Sequence, residues 1–561
     1  MRLPPLLPTL TLLALLGPVL AGLWGTLRAA VGHLPELGMQ GPSLAPVTAL
    51  VEWPGLWAAV RLSLVTGGLA TLSSLLIVTA LIAGWNGTRP FRMMVRVLSP
   101  LLSVPHAAAA FGLLFLIQPS GWVIRALSPW LTGWERPPDL LLVQDPMGLA
   151  LTLGLIVKEV PFLLLISLAA LAQTQGAERM RIAAALGYGR SAGWLFSVFP
   201  ALYSRIRLPV YVVLAYSMSV VDMALILGPS TPPTLSVQIL RWMGDPDLTL
   251  RSLASAAALL QLTLVLMALL AWHGAEHLVA RLSRRLITSG RRWQRDRWLR
   301  FGVVSLAMLC VTMVLFGLLG LTLWSFAAGW RFPEALPDAL SPSSWIRHGP
   351  IALKTLGTTF AIALAATGLA LVLTLGCLET EERRHLAVTE RAMWLLYLPL
   401  LVPQTAFLPG LQTLLLGVGA DRSLWAVVFA HLVFVLPYLR LSLEGPFKDW
   451  DARQGRIAAA LGASPNRIFF CLRLPMLLGA ILTAIALGVA VSIGQYLPTL
   501  LIGGGRVQTL TTEAVALAAG GDRRAIGVFA LLQTAAALLP FALALWMPKA
   551  IWHNRKDMHH G

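Results

Sequence analysis

Three charged residues stand where a charge is expensive. Lys158 and Glu159 fall near the middle of an apolar run at 147–172, and Asp222 falls in the outer part of another at 206–228. A charge at mid-bilayer costs several kcal/mol unless it is paired or hydrated, so each must hold a neighbour or face a watery path. Two readings are open for them: they line a route for a solute, or Lys158 pairs with a carboxylate to fix helix packing. Aligning Pro161 with Pro437 sets Phe434 and Val435 opposite Lys158 and Glu159, and aligning Ser219 with Ser492 sets Gln495 opposite Asp222. The charges therefore belong to one half of the chain, with Gln495 as a polar counterpart in the other. His106, Gln404 and His431 are weaker candidates, because single polar residues in a bundle more often bond a neighbouring carbonyl.

A second constellation is repeated. Arg-Ile-Ala-Ala-Ala-Leu-Gly occurs at 181–187 and again at 456–462, an offset of 275 residues, and thirteen positions after each glycine stands a proline, Pro200 or Pro475. Half the chain separates the copies, so the protein reads as one module duplicated and fused. Arg181, Ala183 and Ala184 in one copy, and Arg456, Ala458 and Ala459 in the other, belong to runs of strong helix formers, which Gly187 and Gly462 can end in a left-handed turn. A short amphipathic stretch follows each turn until the proline. Helix, turn and second helix, with a compact alanine face, make a docking element for another protein.

The elements that carry these residues follow from composition. Hydrophobic residues are 57% of the chain and charged ones 12%, with a mean hydropathy of +0.75. Those values define an all-α polytopic membrane protein. Runs of about 20 apolar residues mark spans, and twelve are found: near 6–27, 57–84, 97–118, 147–172, 206–228 and 250–272, then 301–327, 350–377, 393–417, 424–443, 476–502 and 525–547. The expected organisation is a first unit over 1–272 (core 57–272), a basic cytoplasmic linker at 273–300, a second unit over 301–547 (core 350–547) and a cytoplasmic tail at 548–561. With the N-terminus inside, cytoplasmic segments hold 29 of the 43 Lys and Arg residues and the opposite side 13, the usual bias. Both termini and both repeat loops are placed in the cytoplasm. Residues 1–21 resemble a cleavable signal, but removing them would invert every loop against that bias, so the first helix is expected to be retained.

Several function classes fall away. The net charge of +18 lies in short segments between spans, which argues for the lipid bilayer as surroundings and against nucleic acid as a partner. Cys310, Cys377 and Cys471 show no metal or redox spacing, and no glycine-rich phosphate loop or catalytic triad is present. No cofactor, metal site or enzyme activity is expected. His553, His559 and His560 read as a solvated tail.

At the repeated loops the chain resembles the inner-membrane permease subunits of bacterial binding-protein-dependent ATP-binding-cassette importers. Their signature runs Glu-Ala-Ala, three residues, Gly, then a basic-aromatic stretch ending in Leu-Pro. Ala183, Gly187 and Pro200 match it in the first half; Ala458, Gly462, Ala463, Ser464, Pro465, Phe469, Leu474 and Pro475 match in the second. Arg181 and Arg456 stand where that signature has its glutamate, with Glu178 and Asp451 nearby. Ser219 to Asp222 with Leu227-Gly228, and Ser492 to Gln495 with Leu501 to Gly505, resemble motifs of the fused permeases for ferric iron and thiamine. The resemblance implies two copies of a cytoplasmic ATPase docked on the two loops, a periplasmic solute-binding protein, and location in the bacterial inner membrane. The formally acidic set of Glu159, Asp222 and Lys158 points to a small cationic or metal-bearing solute. The competing class is a twelve-helix secondary transporter, which has no need of matched docking loops.

Overall fold

The computed structural model describes residues 6–35, 41–386, 390–421 and 423–551, so the histidines of the tail and Arg2 lie outside the described residues. Among those described, nine helices are long and apolar enough to cross a membrane, and three bent helix pairs bring the spans to twelve. The only β-sheet among the described residues is a short two-stranded clasp between Ala327–Gly329 and Ala339–Leu340 in the loop after the seventh span. This is the all-α polytopic architecture that the hydropathy requires, since only helices or closed barrels satisfy their backbone in lipid.

Polar residues set where the helices begin. Asp145 accepts the backbone N–H groups of Leu149 and Ala150 at 2.8 and 2.9 Å and so starts Leu149–Leu171. Ser423 caps Leu424–Lys448, and Thr509 with Thr512 forms a reciprocal box at Leu510–Gly520. Helix breaks fall where the sequence drew continuous spans. The run at 97–118 is an amphipathic helix, Arg89–Leu101, then a turn, then His106–Ile117. The run at 206–228 stops at Ser219 and restarts as Asp222–Leu227, and that at 476–502 stops at Ile493 and restarts as Leu497–Gly503. The basic stretch 273–300 is mostly helical: Leu250–Thr288 runs through its first part, and Arg297–Phe326 begins in its last.

The two sequence halves interlock through their first helices. Leu6–Ala30 packs on Gln404–Gly417 and Ser343–Arg383 of the second half, while Arg297–Phe326 packs on His106–Ile117 and Leu56–Trp85 of the first. Glycine permits both crossings. A Cβ on Gly22 would sit 2.3 Å from the Phe407 carbonyl oxygen and one on Gly25 2.5 Å from that of Gly410, and in the pseudo-equivalent crossing Gly112 and Gly317 meet backbone to backbone. Thr26 fastens the first crossing by accepting the Gly410 N–H at 3.1 Å. Close backbone approach of this kind replaces the missing hydrophobic drive between helices in lipid. The first helix is thereby a packed part of the transmembrane domain, with Leu15, Val19 and Thr26 fully buried.

Gly410→Val is expected to destabilise the folded chain by roughly 3 kcal/mol or more, because its Cβ would overlap the Gly22 oxygen and the Thr26 nitrogen. Gly68→Ala, facing open space, is the control. Heating detergent-solubilised protein and following its monodisperse fraction checks this; equal melting of the two variants would contradict the crossing.

Candidate functional site

The two repeated loops fold alike. Gly176–Ala185 and Ala452–Ala460 are the first helices, followed by Gly187 at φ +80° and Gly462 at φ +85°. The same end motif closes both: Gly187 and Tyr188 donate to the Ala184 and Ala183 carbonyls, as Gly462 and Ala463 donate to those of Ala459 and Ala458, at 2.9–3.1 Å. Only glycine takes this left-handed position without penalty. Pro200 and Pro475 lie beside the 63° and 74° bends where each loop turns into its fifth span. Ala183 is buried against Gly193, whereas Ala184, Ala459 and both signature-position arginines, Arg181 and Arg456, are exposed. Between the arginines and the turns runs a matched apolar ridge: Ile182 and Leu186 are 58% and 59% exposed, and their counterparts Ile457 and Leu461 are 62% and 83% exposed. The two ridges are therefore alike in residue type, position and exposure.

The loops are held in place by different devices. The first is clasped by the segment joining the halves. Gly189 donates to the Arg292 carbonyl at 2.9 Å, Gln294 to the Gly187 carbonyl at 3.1 Å, and the Ser191 N–H to Asp296 at 2.9 Å. The Arg292 guanidinium covers the Tyr188 ring at 4.3 Å and Trp293 packs on Phe196. Partial burial works to raise the Asp296 carboxyl, but the hydrogen bonding from Ser191 and the Arg300 charge outweigh it and hold it below the ordinary carboxylate range. The clasp is thus fully charged at neutral pH and loosens only as acid titrates that group. The second loop is held by a buried ion network. Arg473 reaches Glu379 at 2.9 Å and Glu382 at 3.3 Å while lying over Trp450 and Phe447, and Arg440 pairs with Glu381 at 2.7 Å. Arg383 joins Asn466 at 2.9 Å. The network was missed in the sequence; its signal is the charged run Glu379 to Arg384 at the end of an apolar helix, weighed above only for topology.

The charges inside the spans separate into two roles. Lys158 forms no carboxylate pair among the described residues. Its Nζ donates to the carbonyls of Val104 at 2.6 Å, Leu102 at 3.3 Å and Leu101 at 3.5 Å, the groups freed where Arg89–Leu101 ends. Of the two open readings for Lys158, the carboxylate pair gives way because the three donors of the ammonium meet carbonyls at the helix end, of which that of Leu101 also accepts the Val104 N–H. The helix starts Leu149 and Leu424 also repeat at 275 residues, which sets Val433 rather than Phe434 opposite Lys158; Val433 is buried among apolar side chains, so the second half needs no cation there.

Glu159 lies 3.9 Å from His106, whose ring stacks against Tyr216 at 4.9 Å. Asp222 opens the short helix Asp222–Leu227 and is buried, within electrostatic range of His106, Tyr216 and Tyr496. Tyr438 lies in the same range of Glu159 and Tyr216. Gln404, the first residue of Gln404–Gly417 as His106 is of His106–Ile117, donates to Gln495 at 3.4 Å. These groups come from both halves and converge where both fifth spans break.

That break also corrects an alignment. The restarts at Asp222 and Leu497, and the helices from Leu235 and Leu510, all repeat at 275 residues, so Leu497 rather than Gln495 is the counterpart of Asp222. The supports agree with that offset. Ser63 accepts the Leu235 N–H as Thr359 accepts that of Leu510. Gln261 donates directly to the Met218 carbonyl, and Gln533 reaches the Ile493 carbonyl through Thr511. His431 has both ring nitrogens engaged, by Ser492 at 2.8 Å and Thr499 at 2.9 Å, and staples the second break as a packing residue.

A duplicated set of six spans, interlocked around a shared polar centre and carrying one solvent-facing helical loop per half, defines a fused membrane permease. Comparison with known proteins gives the family. An inner membrane ABC transporter permease protein, YnjC of Escherichia coli (strain K12), is 32% identical over 549 residues, 96% of this chain and 98% of its own length. The thiamine transport system permease protein ThiP of Salmonella typhimurium is 26% identical over 480 residues, 81% of this chain and 82% of the relative. The molybdenum transport system permease protein ModB of Mycobacterium tuberculosis matches at 32% over 135 residues, 24% of this chain and 51% of the relative. No family model matches. The chain belongs to the inner-membrane ABC transporter permeases.

Asp296→Ala should release the clasp without unfolding the spans. Trypsin should then cut at Arg291, Arg292 or Arg295 several-fold faster than in wild type, while Asp247→Ala, in a loop of the first half remote from the clasp, leaves the rate unchanged. Equal rates for both variants would show that the clasp does not order this segment.

Proposed function

We propose that the chain is the fused transmembrane subunit of an importer, with each repeated loop docking one copy of a separate cytoplasmic ATPase and a periplasmic binding protein delivering solute to the opposite face. The observation that carries the docking reading is the doubled apolar ridge, Ile182 with Leu186 and Ile457 with Leu461, set out in the same geometry by the Gly187 and Gly462 turns. The Lys and Arg bias supports a cytoplasmic side for both loops and both termini. ATP-driven approach of the two ATPase copies would move the loops together and tilt the spans joined to them through the bends at Pro200 and Pro475. The exposed Arg181 and Arg456 invite carboxylates on the ATPase, in place of a contact to the signature glutamate.

The solute is proposed to be a small cation. Lys158 donates to backbone carbonyls rather than to a carboxylate, and although its charge still acts on the adjacent Glu159, the two carboxylates Glu159 and Asp222 outnumber it, with tyrosines of both halves around them. Carboxylates and aromatic faces together favour an organic cation over an anion. Thiamine, named in one relative, has that chemistry.

Two experiments test these readings. Leu186→Glu with Leu461→Glu should leave membrane insertion intact, because both side chains are already in water, and reduce co-purification of the ATPase at least tenfold. Undiminished co-purification rules the ridges out. In vesicles holding the complex and its binding protein, Asp222→Asn and Glu159→Gln should each lower thiamine or putrescine uptake about tenfold or more. Uptake of molybdate instead, or wild-type rates in both variants, would leave these carboxylates as packing groups.

A further inference from the structure

The two docking loops are pseudo-symmetric in sequence, yet the space behind them is not. Behind the first loop lies an open cleft of about 830 Å³, floored by Ile82, Leu168, Leu171 and Trp194 and rimmed by Gln175 and Arg181. At the 275-residue offset the second half has Phe447 where the cleft wall has Ala172, and Trp450 where it has Gln175. Those two rings, with the Arg473 guanidinium 4.7 and 4.2 Å from their centroids, fill the corresponding space. The fit is tight enough that a Cβ on Gly455 would lie 2.9 Å from the Trp450 ring, and the first half carries Met180 at that position. One half therefore supplies its own aromatic plug, and the other leaves the socket empty.

We propose that the socket behind the first loop receives an aromatic side chain, flanked by a carboxylate, from the ATPase copy docked on that loop, so that the two ATPase copies are seated unequally. This rests on the docking reading above. Three observations select this occupant. The second half shows what chemistry fits, because rings occupy the same space there. The rim carries Arg181, exposed and with no ion pair or hydrogen bond among the described residues, together with Arg190. The socket is also continuous with the docking ridge, since Met180 and Arg181 line it and Ile182 adjoins them. The clasp by Arg292, Gln294 and Asp296 holds the loop from its other side, so the loop keeps its place with the socket open.

The test uses the complete complex with its ATPase in nanodiscs. A small diazirine reagent is attached to Ala172→Cys in a Cys471→Ser background, Cys310 and Cys377 being buried, and adducts are mapped by mass spectrometry. A peptide of the ATPase centred on an aromatic residue is expected; adducts confined to phospholipid would overturn the proposal. Ala172→Phe, which copies the plug of the second half, should lower ATP hydrolysis by the complex at least fivefold while the permease itself melts no earlier, and Ala172→Ser should stay within twofold of wild type. A wild-type rate for Ala172→Phe would overturn it as well. Labels at Leu186→Cys and Leu461→Cys separate the two levels. ATPase adducts at both ridges with none at position 172 sink only the unequal seating, and none at any of the three positions sinks the docking reading with it.

Discussion

The controlling constraint is that a helix broken inside an apolar layer exposes backbone groups that no water will partner. Each unsatisfied carbonyl or N–H there costs several kcal/mol, so every break must bring its own donors and acceptors. Three breaks, at 102–105, at 220–221 and at 494–496, draw much of the polar chemistry of this molecule, and a fourth lies at 402–403, where the chain bends by 87° before Gln404. Lys158 takes the carbonyls of the first break, Gln261 that of Met218 at the second, and Gln533 with Thr511 that of Ile493 at the third. His431 spans the third break with both nitrogens engaged. Glu159, Asp222, His106 and the surrounding tyrosines lie where these breaks converge, and on the reading proposed above they are the groups a solute would meet.

Interlocking explains how such a centre stays closed on its sides. Because the first helix of each half lies on the third span of the other, the boundary between halves is crossed twice by glycine-mediated contacts, Gly22 and Gly25 with Phe407 and Gly410, and Gly112 with Gly317. On the reading proposed above, motion imposed on a loop would pass into the fifth spans, which end at the broken segments around the polar centre. Loop and centre are joined by continuous helix, Phe199–Ser219 in one half and Leu478–Ile493 in the other.

Much of this was legible in the sequence. All twelve spans follow from apolar runs, and the repeated heptapeptide located both loops and their glycine turns. What was hidden depends on side chains meeting across long separations. Nothing local to Lys158 says that its partners are carbonyls more than fifty residues earlier, because a helix break inside an apolar run leaves no compositional mark. The alignment of Ser219 with Ser492 followed residue identity, whereas the fold repeats by helix starts, which pair Ser217 with Ser492. The Arg473 and Arg440 network was likewise invisible, since its carboxylates lie on another span.

Duplication followed by divergence accounts for the pattern of difference. A chain that is one polypeptide can no longer adjust its halves by symmetry, so each substitution is answered locally: an ammonium on one side where a valine packs on the other, a peptide clasp where the partner loop has an ion network. Features that remain matched after such drift are those that both halves must perform. The loop turns, the exposed ridges and the caps at Leu235 and Leu510 are matched; the charges of the centre and the space behind the loops are not. A translocation path needs only one set of charges, because a single solute occupies it, while two docking loops are needed if two motors drive it. On the proposed function, the distribution of sameness and difference along this chain is the one that a single path coupled to a paired drive would leave.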